Sequence, residues 1–314
     1  MYLNQGNLLK KLSKEDLDDS NASNSDYLTG CLYIIATPIG NFDDITIRAI
    51  KLLNFVDILL CEDTRKTSKL LSAHRIQNKT LVSYNDHNAI KKRPYVINQL
   101  LHNKAVGLVS DAGTPLISDP GYKLVQECYL KNIIVTHSPG PSSVINALVL
   151  SNLPSDQFYF GGFIPSNKAG KEKKFLITKY NQMTGIWFDT CIRLPNTLKV
   201  MFNIYGNRKI SVMRELTKIH EDIIISDLEN IETILLKRKE NNIPLKGEIV
   251  VVIAGYQLNS DLNIYTIKDN IKEKLSSFSL RDTVNMVVSE TGLSKKIIYN
   301  EAIKINNENF NTKK

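Results

Sequence analysis

Several short stretches carry residue types that could do chemistry, and each follows an apolar run. Glu62-Asp63-Thr64-Arg65 sets two carboxylates beside a guanidinium. A carboxylate can take a proton from a hydroxyl nucleophile, while an arginine can hold a phosphate or orient the acid. Ser110-Asp111-Ala112-Gly113-Thr114-Pro115 pairs an acid with a glycine that can adopt positive φ, so a ligand can come close to the backbone. Asp86-His87-Asn88 offers an imidazole in a turn, a candidate substrate contact. Pro139-Gly140-Pro141-Ser142-Ser143 ends in serines that can cap a helix and present its N–H groups to a ligand. Each stretch also has an ordinary structural reading. Acids suit the first turn of a helix, Thr64 can cap one, and Gly, Pro and Asp populate any loop.

Other chemistries lack their residues. The five histidines are isolated, with no metal-ligating spacing. Cys31, Cys61, Cys128 and Cys191 form no CxxC pair and read as buried hydrophobes of a reducing compartment. No GxGxxG, GxxxxGK[ST] or GxSxG motif is present, which disfavours dinucleotide, P-loop and serine-elbow enzymes. No apolar run is long enough to span a bilayer and no signal-type N-terminus appears, so a cytoplasmic protein without membrane contact is expected. The 40 Lys+Arg against 32 Asp+Glu leave a net charge of +8, which favours a polyanionic partner such as nucleic acid.

The elements that must position these loops alternate. Strands are expected at Cys31–Ala36, Asp57–Cys61, Thr80–Ser83, Ala105–Val109 and Ile133–Thr136, with helices between them and one opening at Tyr122. Such alternation implies a mostly parallel sheet covered on both faces, with ligand loops at the strands' C-terminal ends. Further strands are expected at Gln157–Phe160, Gly185–Phe188, Ile210–Met213, Ile223–Ile225 and Glu248–Gly255. Between Phe163 and Lys174 a basic loop containing Lys168 and Lys171 reads as a flap or nucleic-acid contact. From about Ile267 the chain is helical, with Ser279 and Ser294 as caps of a helix pair and Gly292 as the stop between them. The 314 residues therefore divide into a flexible tail over 1–29 (with a helix possible over Asn7–Leu17), α/β domains over 30–139 and 140–262, and a helical appendage over 263–314.

Taken together and in order, these motifs resemble the ribosomal RNA small subunit methyltransferase I family. The series starts at Thr37-Pro38-Ile39-Gly40-Asn41 and runs through Glu62-Asp63-Thr64-Arg65, Asp86-His87-Asn88, Ser110 to Pro115 and Asp119-Pro120-Gly121. It continues with Pro139 to Ser142, Leu153-Pro154-Ser155-Asp156, Arg214-Glu215-Leu216-Thr217-Lys218 and Lys246-Gly247-Glu248. The resemblance implies the tetrapyrrole methylase-like fold: two α/β domains with S-adenosylmethionine in the cleft between them, forming a homodimer. It implies 2′-O-methylation of a cytidine ribose in the decoding region of 16S rRNA, with the RNA or the 30S subunit as partner. Cofactor residues would be Pro38, Asp111, Ala112, Gly113, Ser142, Ser143, Phe188, Asp189 and Leu216. From the chemistry of the residues themselves, Glu62, Asp63 and Arg65 are expected near the target ribose, one carboxylate accepting its proton, with His87, Arg214, Lys168 and Lys171 as substrate contacts. No metal is expected.

One segment departs from the family. Where it shows Phe-Tyr-Glu-Ser-Pro/Thr-His-Arg, this chain has Trp187-Phe188-Asp189-Thr190-Cys191-Ile192-Arg193. Asp189 shortens the Glu, and Ile192 replaces the His. That departure motivates a rival reading, a catalytically silent ribosome-binding relative. A second rival, a tetrapyrrole methyltransferase of the same fold, is opposed by the basic balance and the Glu62 to Arg65 loop.

Overall fold

The computed structural model describes residues 27–241, 246–257, 264–291 and 294–311. The helix expected over Asn7–Leu17 and the stop at Gly292 lie outside the described residues. The chain divides into two compact units. The first runs to Ala147 and also takes in Glu215–Asp222; the second comprises Leu148–Arg214 and the chain from Ile223 onward.

The first unit holds β1 (Cys31–Ile35), β2 (Ile58–Cys61), β3 (Thr80–Ser83), β4 (Val106–Leu108) and β5 (Ile134–Ser138). Their order is β3-β2-β4-β1-β5, and all neighbours are parallel. Parallel pairing needs crossovers, supplied by α1 (Ile47–Phe55), α2 (Thr64–Ala73), α3 (Ala89–Leu101) and α4 (Tyr122–Leu130). Helices on both faces explain why β1 is apolar at every position instead of alternating: all five of its residues are buried. Tyr33, Ile35, Leu59 and Cys61 pack with Ala49, Leu52, Leu53, Leu70 and Leu71 on one face. Leu32, Ile34, Leu60 and Leu108 pack with Val96, Ile97, Leu100, Leu124 and Cys128 on the other. This period-two division fixes the register, because a one-residue slip would swap the two cores.

Two boundaries differ from expectation. Tyr27 and Leu28, expected in the tail, pack on the first unit: the Tyr27 ring lies 5.3 Å from that of Phe55, and the Tyr33 hydroxyl exchanges hydrogen bonds with Leu28 at 2.8 and 2.9 Å. At the other end β5 continues through His137 and Ser138, and the division between units falls inside α5 (Ser143–Leu150), not at 139/140.

The second unit contains β6 (Phe158–Phe163), β7 (Thr184–Thr190), β8 (Lys209–Arg214), β9 (Asp222–Asp227) and β10 (Glu248–Ile253) in the order β6-β7-β10-β8-β9. β6 and β7 are parallel, while β10 is antiparallel to β7 and β8. The helices are α6 (Lys168–Thr178), α7 (Leu194–Tyr205) and α8 (Leu228–Glu240). Trp187, Ile210, Val212, Ile249, Val251 and Ile253 form the core with Phe175, Leu198, Met201 and Ile231. The basic loop expected up to Lys174 gives way to α6 at Lys168, because the Asn167 side chain accepts the Gly170 amide and caps the helix.

Beyond the sheet come α9 (Ile264–Leu275), α10 (Leu280–Thr291) and α11 (Lys295–Asn311). They share a core of Ile271, Val284, Val287, Ile298, Ala302 and Ile305, so the expected helix pair is a three-helix bundle. Ser279 and Ser294 cap α10 and α11, accepting the Asp282 and Ile297 amides at 3.2 and 3.4 Å. Among the described residues no helix is long and apolar enough to cross a membrane.

Leu59 tests the first core. It is fully buried on β2, and its Cδ1 would lie 2.8 Å from a Cβ at Gly107, so the site is tightly packed. Leu59→Ala should lower unfolding free energy by about 2–5 kcal/mol, read from the denaturant midpoint at constant m-value.

Candidate active site

Because every strand of the first sheet points the same way, the loops after β1, β2, β3, β4 and β5 gather at one edge. The loops after β2 and β4 are stitched together by their own acids. The Asp63 amide donates to Asp111 Oδ1 at 3.0 Å, and the Asp111 amide donates to Glu62 Oε1 at 3.4 Å. Lys66 Nζ sits 2.8 Å from Asp111 Oδ2. Asp63, not Thr64, caps α2: its carboxylate accepts the Arg65 amide at 2.9 Å and the guanidinium through Nε and Nη2 at 3.0 and 2.7 Å.

These contacts separate two adjacent carboxylates. The hydrogen bonds from Arg65 hold the Asp63 carboxyl below the usual carboxylate range. Burial, then the charges of Asp119 and Asp111, push Glu62 up to about 7, against the lowering effect of the Asp111 amide and Lys66. Asp119 is pushed up to about 6 by burial and by Asp111 and Asp86, against a hydrogen bond with Ser110. One carboxyl raised toward neutrality beside one locked in an ion pair is an arrangement able to separate a proton carrier from a fixed charge.

The loop after β1 joins through backbone. Thr37 and Gly113 exchange N–H to C=O bonds at 2.9 and 3.0 Å, and Gly113 takes φ +80° to do so. Leu116 and Ser118 also have positive φ, at 74° and 66°, a local strain of the kind concentrated at functional loops. Ala112 is exposed, Thr114 Oγ1 donates to Pro141 O at 3.1 Å, and the Ser142 hydroxyl accepts the Ile145 amide at 3.5 Å as α5 begins. Pro38 is buried. Leu216 is buried within the segment that joins the first unit from between β8 and β9. There the Asn41 amide donates to Thr217 Oγ1 at 3.2 Å, and the branched Thr217 is held at φ 64°. His87 is exposed, its amide bonded to Asn85 Oδ1 at 3.2 Å.

The structure thus brings Glu62, Asp63, Arg65, Pro38, Asp111, Ala112, Gly113, Ser142, Ser143, Leu216 and His87 into the first unit. Phe188, Asp189, Lys168, Lys171 and Arg214 belong to the second. Asp189 is buried, with Arg193 Nη2 at 2.9 Å from its Oδ1, an ion pair outside hydrogen-bonding geometry. Lys171 is not the exposed contact expected. It is buried on α6 and donates to Asn196 Oδ1 at 3.1 Å; burial lowers its pKa, and Asp189 opposes that shift. Lys168 stays exposed, 3.7 Å from Glu172, and Arg214 is half-buried at the end of β8. Lys66 and Asp119 were not singled out from sequence. Asp119-Pro120-Gly121 stood among the motifs, but its carboxylate gains meaning only from the acids folded beside it. Among the described residues, no group of three or more His, Cys, Asp and Glu is arranged to hold a metal ion.

Gly40 is where this assembly is most easily tested. A Cβ there would come within 2.6 Å of Thr217 Oγ1 and 2.9 Å of the Leu216 carbonyl, and the latter is backbone. Gly40→Ala should therefore destabilise the protein by about 1–3 kcal/mol and make the 215–222 segment cleavable by protease under native conditions.

Residues 31–232 match the family of Tetrapyrrole (Corrin/Porphyrin) Methylases. A Rickettsia prowazekii (strain Madrid E) protein named ribosomal RNA small subunit methyltransferase I is 45% identical over 267 residues, 85% of this chain and 88% of that protein. One of the same name from Thermotoga maritima is 41% identical over 226 residues, 72% of this chain and 99% of that protein. The crystal structure of uroporphyrin-III-C-methyltransferase from Thermus thermophilus superposes with a TM-score of 0.52 at 13% identity, covering 72% of this chain and 94% of that one, a likeness of fold alone. The chain belongs to the tetrapyrrole methylase family and, within it, to the ribosomal RNA small subunit methyltransferase I group.

Proposed function

We propose that this protein transfers a methyl group from S-adenosylmethionine to the ribose 2′-oxygen of a cytidine in the decoding region of small-subunit ribosomal RNA. The carrying observation is the 45% identity, over 85% of the chain, to a protein named for methylating small-subunit rRNA. The choice of a cytidine 2′-oxygen rests on the ordered motifs. The reading includes a homodimer acting in the cytoplasm on the RNA or the 30S subunit.

The first unit's edge suits the cofactor's polar groups. The exposed Ala112 and the start of α5 at Ser142 and Ser143 offer groups for a carboxylate and for ribose hydroxyls, and the Gly113 turn lets a ligand come close to the backbone. Ser138 Oγ is buried at the end of β5 with no partner among the described residues, a polar atom left for a ligand. Pro38, Asp111 and Leu216 complete these loops. S-adenosylmethionine supplies an electrophilic methyl group. Phe188 and Asp189, on β7, are retained as cofactor residues on the family resemblance.

The protein's own residues must then orient the ribose and remove its proton. In-line geometry contributes most, because the incoming hydroxyl is held instead of captured from solution. Glu62 accepts the 2′-hydroxyl proton: burial raises its pKa, whereas the hydrogen bonds from Arg65 hold Asp63 low. Arg65 is oriented by Asp63, and its side chain is 87% exposed, which leaves donors for a backbone phosphate. His87, Lys168 and Arg214 contact RNA.

Transfer of labelled methyl to small subunits from cells lacking this gene, followed by nuclease mapping, tests the reading; absence of label on a decoding-region cytidine ribose would remove it. Glu62→Gln should lower kcat/KM about 10²–10⁴-fold while leaving S-adenosylmethionine affinity unchanged. The wild-type rate should rise with pH through about 7 and then level off, since Glu62 must be ionised to act. Stability runs the other way. Between the ordinary carboxylate range and pH 7 the folded protein keeps the Glu62 proton that the unfolded chain has lost. Its contribution therefore fades as pH rises through that window, and Glu62→Gln should remove this slope.

A further inference from the structure

Phe160, Phe163 and Phe188 form an aromatic cluster of the second unit, of which the proposed chemistry uses only Phe188, as a cofactor residue. Phe188 meets Phe160 and Phe163 edge-to-face at 4.8 and 5.2 Å between ring centroids. On a regular strand, residues three apart face opposite sides of the sheet. Here the register jumps: Phe160 pairs with Ile186 and Phe163 with Phe188, so a bulge turns Phe163 onto the face of Phe160. Two glycines make it possible. A Cβ on Gly161 would collide with the Trp187 indole, and Gly162 takes φ +72° with open space around it. The bulge lies on the edge strand of the sheet, and Phe163 is left 55% exposed although the unit's core is on the opposite face with Trp187.

The helix that follows is rich in lysine, with Lys168 3.7 Å from Glu172 and Lys174 Nζ 5.3 Å from the Trp187 ring centroid. Lys174 Nζ donates to the Phe163 carbonyl at 3.3 Å, and Lys168, five residues after Phe163, is 77% exposed at the start of α6. Lys173 is exposed on the same helix. An exposed ring at a sheet edge, followed along the chain by a lysine-bearing helix, can hold an unpaired nucleobase by stacking and its strand by the phosphates. We propose that Phe163, backed by Phe160 and Phe188, stacks a nucleobase of the RNA substrate next to the modified nucleotide. This rests on the RNA-methylating reading above. The same π-face chemistry could be satisfied by the cofactor's adenine, and the test separates the two.

The probes are small ribosomal subunits from cells lacking this gene, and S-adenosylmethionine alone. Phe163→Leu and Phe163→Met keep the apolar volume but not the stacking face. Both should weaken subunit binding roughly tenfold at fixed salt, with the salt dependence unchanged because no phosphate contact is removed. Phe163→Trp should restore affinity, and S-adenosylmethionine binding should be equal in all variants. Unchanged subunit affinity in the Leu and Met variants overturns the proposal. So does a loss of S-adenosylmethionine affinity in its place, which assigns the platform to the cofactor, or a change in oligomeric state, which assigns it to a second copy. If the wild type binds no small subunits, the functional reading falls together with this one; if it binds and the variants match it, only the platform falls.

Discussion

Everything at the candidate site depends on the parallel pairing of β2, β4 and β1. A buried backbone must satisfy its N–H and C=O groups, and parallel strands do so only with helical crossovers on both faces. The result is that each strand ends at the same edge and each loop must turn there. β4 is three residues long and sits between β1 and β2, so Asp111 emerges within reach of both neighbouring loops. Its carboxylate takes the Asp63 amide and Lys66, and its amide meets Glu62. The Gly113 backbone closes on Thr37.

That geometry sets the electrostatics. Glu62, Asp111 and Asp119 are acids packed at one edge with Lys66 as the nearby cation, so desolvation and like charge act in the same direction on Glu62. Asp63, one residue away, is governed by hydrogen bonds from Arg65 and moves the opposite way. Chain neighbours with opposed titration behaviour show that the surroundings, not residue type, decide which acid can carry a proton near neutral pH.

The second unit treats its charges differently. Asp189 and Lys171 are drawn inward, Asp189 beside the partly exposed Arg193 and Lys171 donating to the exposed Asn196. The shortened acid at position 189 therefore has a structural occupation within its own unit. Phe163 at the bulge and Lys168 and Lys173 of α6 remain exposed there.

Much of this was legible in the amino-acid sequence. The runs at 31–36 and 57–61 declare parallel strands because burial on both faces removes any polar alternation, and Ser279 and Ser294 mark helix starts because a hydroxyl satisfies an end amide locally. The motif order identifies the family, since several short loops in fixed succession rarely arise otherwise. Adjacent residues and local hydrogen bonds sufficed for all of this. The rest required contacts distant along the chain. Glu62 differs from Asp63 through Asp111 and Asp119, about fifty residues on; Lys171 is buried because α6 starts three residues earlier, at Lys168; Leu216 joins the first unit because Gly40 leaves room for its segment. Sequence by itself determined the strands, caps and family, because those follow from periodicity and near neighbours. Tertiary structure alone decided which acid is desolvated and which lysine is hidden, because burial and Coulomb energy depend on distances that no local pattern contains.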